Sequence, residues 1–134
     1  MTAYLDASAL VKLVTSEDDT DALRAFLATR PSRATSIVAL VEVRRAVLRR
    51  APAALEAVSA LLAGVAVLSL DEEIAGRAGL VEPATLRTLD AIHLASAETL
   101  GADLEAFVTY DERLATAARA ARLPVASPSG PGSG

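Results

Sequence analysis

Cysteine is absent from the 134 residues, and histidine occurs once, at position 93. Those two gaps exclude disulfides, thiol nucleophiles, iron–sulfur clusters, thiolate zinc sites and any three-histidine metal centre. Aromatic residues make up 3% of the chain, too few for a base-stacking platform. Lys12 is the only lysine, and 13 basic against 17 acidic residues leave a net charge of −4. Bulk electrostatic capture of nucleic acid is therefore unsupported, so any such contact must be local. No run approaches 18 uninterrupted apolar residues, and Asp6 stands where the apolar part of a signal peptide would lie. The chain reads as a soluble, cytoplasmic protein that does not engage a membrane. No G-x-x-x-x-G-K phosphate loop or glycine-rich dinucleotide motif occurs. With so few other reactive groups, carboxylates become the candidates for chemistry.

What the sequence has in abundance is alanine and leucine, 30 and 20 residues, in a composition that is 52% apolar. Both favour helix, and the length suits one domain. Short β-like runs at 3–5, 33–35, 65–68, 107–109 and 124–125 alternate with helix-period segments. The latter cover 9–14, 19–28, 37–50, 53–62, 72–81, 88–100 and 112–121. Asp71 and Asp111 sit at N-cap positions, Pro52 suits a first helical turn, and Gly64 and Gly101 are placed as helix stops. Strands joined by helical crossovers predict an α/β fold, a mainly parallel sheet with helices on both faces. The domain is expected over 1–126, followed by a flexible Pro/Gly/Ser tail at 127–134.

Ligands of open parallel sheets bind beyond the carboxyl ends of the strands. Asp6, Asp71 and Asp111 occupy such places; an aspartate between a strand and a helix is most often a cap, and Asp6, the one anion in the segment 4–14, fits that plain reading least. Glu42 lies in the apolar stretch Ile37-Val38-Ala39-Leu40-Val41, where a buried charge needs a partner. Arg45 and Arg49, at i+3 and i+7 from it, offer the plainer reading of a solvated face with an intrahelical ion pair. Asp90 lies near the start of the segment 88–100, where it reads either as a helix cap or as a first-turn residue projecting into a site, and His93, three positions on, shares its face. His93 reads as a structural or supporting hydrogen-bonding residue, not as a metal ligand.

Four blocks then form a set: YLDASALVK at 4–12, SIVALVEVRRA at 36–46, LDAIHLASA at 89–97 and FVTYDERLA at 107–115. In order and spacing the set closely resembles the PIN-domain ribonucleases, in particular VapC-type toxins of toxin–antitoxin pairs. The resemblance implies a three-layer α/β/α PIN-like fold and a catalytic, metal-holding quartet of Asp6, Glu42, Asp90 and Asp111. It implies Ser8 and Thr109 as assisting hydroxyls, Mg²⁺ or Mn²⁺ as cofactor, RNA as substrate, a cognate antitoxin as inhibitor and a homodimer as the assembly. Asp71 has no counterpart in that pattern and stays a cap.

The residue types agree with this chemistry. Carboxylates without thiolate or spare imidazole make a hard-oxygen site suited to Mg²⁺ or Mn²⁺. Metal-activated water attacking phosphorus would hydrolyse RNA to a 5′-phosphate and a 3′-hydroxyl. Arg44, Arg45, Arg49, Arg50 and Arg87 are candidates for gripping flanking phosphates, or simply solvate helix surfaces. A receiver domain would need a lysine at a late strand end, and an Asp-x-Asp phosphatase would need aspartate where Ser8 stands. The non-enzymatic alternative is a PIN-like binding module that has no catalysis of its own.

Overall fold

The structure, a computed structural model, describes residues 1–130. Five parallel strands form one sheet in the order β3-β2-β1-β4-β5: β1 (Thr2–Leu5), β2 (Arg33–Ser36), β3 (Ala66–Leu68), β4 (Leu104–Val108) and β5 (Val125–Ala126). The crossovers are α1 (Ala7–Val14) and α2 (Thr20–Ala28), then α3 (Val38–Arg50) and α4 (Leu55–Ala63), then α5 (Glu72–Ala78) and α6 (Thr88–Glu98), and last α7 (Glu112–Ala120). This is the α/β architecture read from the sequence, and its three layers follow from strand alternation. In β1, Ala3 and Leu5 face the core formed with α1 to α4, while Tyr4 faces the core formed with α6 and α7. In β4, Ala106 and Val108 join the first core and Phe107 the second.

Strand order positions the site. The chain grows from β1 outward to β2 and β3, then returns across the sheet to lay β4 on the other side of β1. The point where winding reverses lies between β1 and β4, the place where doubly wound sheets open a crevice for ligands. Leu5 pairs with Val108 across these strands, so the segments beginning at Asp6 and Thr109 leave the sheet side by side.

Element boundaries moved in ways that packing explains. Helix α1 begins at Ala7, two residues before the expected start, because Asp6 caps it. Helix α5 stops at Ala78, where Gly79 closes the turn, and does not reach 81. Strand β4 begins at Leu104, not 107: Glu105 and Ala106 are weak strand formers, but pairing with β1 overrides propensity, and Glu105 meets Arg30 at 3.1 Å. Thr109 leaves that strand and turns its hydroxyl toward Asp6. A one-turn 3₁₀ helix at Pro52–Ala54 precedes α4, as Pro52 in a first turn requires. Gly64 caps α4, and Gly101 adopts φ +54°, a left-handed conformation that costs glycine nothing.

Beyond β5, the Ser127 hydroxyl donates to the Thr109 carbonyl at 2.5 Å and the Tyr110 hydroxyl donates to the Pro128 carbonyl at 2.6 Å. The part of the expected flexible tail at 131–134 lies outside the described residues.

Candidate active site

Asp6 is the best anchored of the carboxylates. As the N-cap of α1 its Oδ1 accepts the Ala9 amide at 2.9 Å and the Ser8 hydroxyl at 2.6 Å, and its Oδ2 accepts the Thr109 hydroxyl at 2.6 Å. A carboxylate offers about four lone-pair directions, so three donors leave about one open. The side chain is only 3% exposed. Burial pushes its pKa upward, opposed by the Ser8 and Thr109 hydroxyls, the electrostatic influence of His93 and the Ala9 amide. The two hydroxyls also bind the neighbouring loop, since Ser8 Oγ accepts the Tyr110 amide at 2.9 Å and Thr109 Oγ1 accepts the Asp111 amide at 3.1 Å.

The other three come from separate elements. Asp111 caps α7, accepting the Leu114 amide at 2.9 Å. Asp90 sits in the first turn of α6 with no side-chain cap bond there. Its pKa is raised first by partial burial, then by the negative charges of Asp111 and Asp6; His93 counters, and Glu42 adds to the rise. Glu42 projects from α3, and its Oε1 lies 2.6 Å from His93 Nε2. Among the described residues no ion pair joins Glu42 to Arg45 or Arg49, so the intrahelical pairing that the spacing allowed does not form.

Asp6, Glu42, Asp90 and Asp111 line one cavity of about 350 Å³, together with Ser8, His93, Arg87 and Thr88. All four sequence-derived candidates are thus brought together, and Asp71, exposed at the end of β3, is not among them. A groove of about 790 Å³ between α1 and α3 shares Ala7, Ser8, Glu42 and Leu89 with this cavity. Val11, Val38 and Val41 line it, with Arg45, Arg49 and Arg50 along its edge. Arg44 instead turns back onto the Leu40 carbonyl of its own helix at 3.0 Å. Lys12 is committed as well, to Glu17 at 3.4 Å and Asp19 at 3.6 Å, above the Tyr110 ring.

Among the described residues no three His, Asp or Glu side chains form a ready metal cage. The donor set nonetheless suits a hydrated Mg²⁺ or Mn²⁺, an ion that keeps several waters and takes one or two carboxylates directly. Burial first, and then the charges of Asp111 and Asp6, push the Asp90 pKa upward, and the charge part of that rise is what a cation held there would offset. Tyr4 was missed at the sequence level, although it touches this network through His93 at 2.7 Å. Its signal was available: a tyrosine in a central strand must find a partner for its hydroxyl, and the chain has one histidine.

A family model for the PIN domain matches residues 3–120. The chain belongs to the PIN-domain family. Within that family it groups with VapC ribonucleases. It is 45% identical over 126 residues to Ribonuclease VapC46 of Mycobacterium tuberculosis, covering 94% of this chain and 97% of that protein. Ribonuclease VapC47 of the same species is 44% identical over 130 residues, 93% and 96% of the two chains. Among solved structures, M. tuberculosis VapC20, a toxin that cleaves the sarcin–ricin loop, superposes with a TM-score of 0.73 at 20% identity over 86% of this chain and 94% of that one. A toxin–antitoxin complex from Klebsiella pneumoniae gives 0.65 at 24% identity over 81% and 86%. These structural likenesses confirm the three-layer PIN fold.

Proposed function

We propose that this PIN-domain protein is a metal-dependent endoribonuclease and the toxin of a toxin–antitoxin pair. The observation that carries the reading is the convergence of Asp6, Glu42, Asp90 and Asp111, from four separate stretches of sequence, on one cavity at the reversal point of the sheet. The ribonuclease names of relatives near 45% identity support it. Asp6, Glu42, Asp90 and Asp111 would hold Mg²⁺ or Mn²⁺. When bound, that ion supplies the charge that lets carboxylates and a phosphate share the site, and it acidifies water for in-line attack at phosphorus. Ser8, Thr109 and the Ala9 amide keep Asp6 from swinging away. Because the protein is too acidic overall to attract RNA by net charge, Arg87 at the cavity and Arg45, Arg49 and Arg50 along the adjoining groove draw in the flanking phosphates of the RNA. Water adds at phosphorus and the P–O3′ bond breaks, giving a 5′-phosphate on one fragment and a 3′-hydroxyl on the other.

The same reading gives the chain a cognate antitoxin, supported by the toxin–antitoxin complexes that share its fold. Its acidic cavity suits a cationic segment, in a contact that weakens with salt. A homodimer acting in the cytoplasm belongs to this reading too; Leu70 and Leu80, 41% and 84% exposed, offer it apolar surface. No helix of the described residues is long and apolar enough to cross a membrane. The test is cleavage of single-stranded RNA with Mg²⁺ or Mn²⁺ present and then with excess EDTA, with end-group analysis of the fragments. Cleavage that stops on chelation and leaves 5′-phosphates supports the reading. Undiminished cleavage in EDTA, or 2′,3′-cyclic ends, sinks it.

A further inference from the structure

Two of the largest fully buried polar side chains, Tyr4 and His93, have no part in the chemistry above. Tyr4 stacks on Phe107 with ring centroids 5.5 Å apart and planes 1° from parallel, so its position is fixed by the sheet. Its hydroxyl meets His93 Nδ1 at 2.7 Å, and on the other side of the imidazole Nε2 meets Glu42 Oε1 at 2.6 Å. A carboxylate accepts and does not donate, so the short Nε2 contact requires the ring proton on Nε2. Burial holds the Tyr4 phenol in its protonated form, free to donate to Nδ1. Both ring nitrogens then have one partner each, and the tautomer is set from inside the core.

Glu42 has a corresponding need. It is a partly buried residue of α3, between Val41, 65% exposed, and the fully buried Val43, and among the described residues His93 is its one hydrogen-bonding partner. Carboxylates that hold metals are usually oriented by such outer partners. The contact also ties three elements together, β1 through Tyr4, α6 through His93 and α3 through Glu42.

We propose that Tyr4 and His93 form a relay that aims the Glu42 carboxylate into the acidic cavity, making His93 a positioning residue for this site. The inference rests on Glu42 belonging to the site proposed above. A merely space-filling histidine would leave Glu42 chemistry indifferent to what replaces it, provided the protein folds.

The single histidine makes the first test direct, because ¹⁵N-labelled protein shows one imidazole. Long-range ¹H–¹⁵N correlation should place the proton on Nε2 with Nδ1 bare, and Tyr4→Phe should perturb the Nδ1 resonance. A bare Nε2 with the proton on Nδ1 overturns the relay, and this measurement needs no variant that must fold. The second test uses a fluorophore-quencher single-stranded RNA of randomised sequence and, separately, Mn²⁺ alone in calorimetric titration. His93→Leu should lower kcat and weaken Mn²⁺ binding by about 10- to 100-fold with little change in KM. His93→Gln, whose amide N–H reaches toward the place of Nε2–H, should recover most of both. A folded His93→Leu with wild-type kcat and Mn²⁺ affinity, or a Gln variant no better than Leu, overturns the proposal. Wild-type activity in Glu42→Gln overturns the site reading beneath it, whereas an inactive Glu42→Gln beside a fully active His93→Leu overturns the relay alone.

Discussion

Beyond β4 the chain runs Thr109-Tyr110-Asp111-Glu112, and Asp111 caps α7 by accepting the amide of Leu114 at 2.9 Å. Beyond β3 it runs Ser69-Leu70-Asp71-Glu72, and Asp71 caps α5 by accepting the amide of Ile74 at the same 2.9 Å. Locally the two aspartates are the same device. One nevertheless lines the acidic cavity with Asp6, Asp90 and Glu42, and the other stands exposed with no acidic neighbour in that cavity. The cause is strand order: β4 lies against β1 at the reversal of winding, while β3 is the edge strand two places away. Asp6, at the end of β1, shows that one side chain can cap a helix and line the acidic cavity at once. The comparison teaches that a cap fixes where an aspartate points relative to its own helix, and the sheet decides what else it meets.

The comparison breaks most sharply at Asp6. Asp6→Asn keeps an oxygen for the Ala9 amide but removes the charge, so RNA cleavage should fall by about 10²-fold or more while the melting curve stays cooperative. A fully active Asp6→Asn protein would remove Asp6 from the chemistry. Next in size is the paired test. Asp111→Asn should lose at least about 10-fold in cleavage and bind Mn²⁺ more weakly, whereas Asp71→Asn should match wild type in both assays. Equal activities would make Asp111 only a cap, and the reverse ranking would move the site to the other strand end. Third, Mn²⁺ at 100 times its Kd should stabilise the fold by about 2.7 kcal/mol, and EDTA should reverse it. The same Mn²⁺ shift in Asp71→Asn and a reduced one in Asp111→Asn would locate the ion at the β1/β4 ends. Smallest is Asp71→Ala, which loses the cap and should cost about 1 kcal/mol in denaturant unfolding with cleavage per folded molecule unchanged. A loss of activity there would give the edge strand a role this reading denies it.

The sequence by itself determined the alternation of strands and helices, because apolar period, Asp caps and Gly or Pro stops are local signals acting over a few residues. It also determined which carboxylates to watch, since the four blocks around Asp6, Glu42, Asp90 and Asp111 carry a family pattern. Tertiary structure alone decided the rest. Glu42 had Arg45 and Arg49 in reach along its own helix and took His93 from another one instead, 51 residues away. The family pattern marked the Thr109 hydroxyl but not its partner, and it donates to Asp6 Oδ2 because β4 lies beside β1. Tyr4 read as an ordinary strand residue until packing placed its hydroxyl on the imidazole. These are contacts between elements far apart in the chain, and no local period encodes them. The Thr109 contact exists because the reversal of the sheet brings the ends of β1 and β4 together, and the two His93 contacts exist because packing sets α6 against β1 and α3, where buried polar groups must find partners.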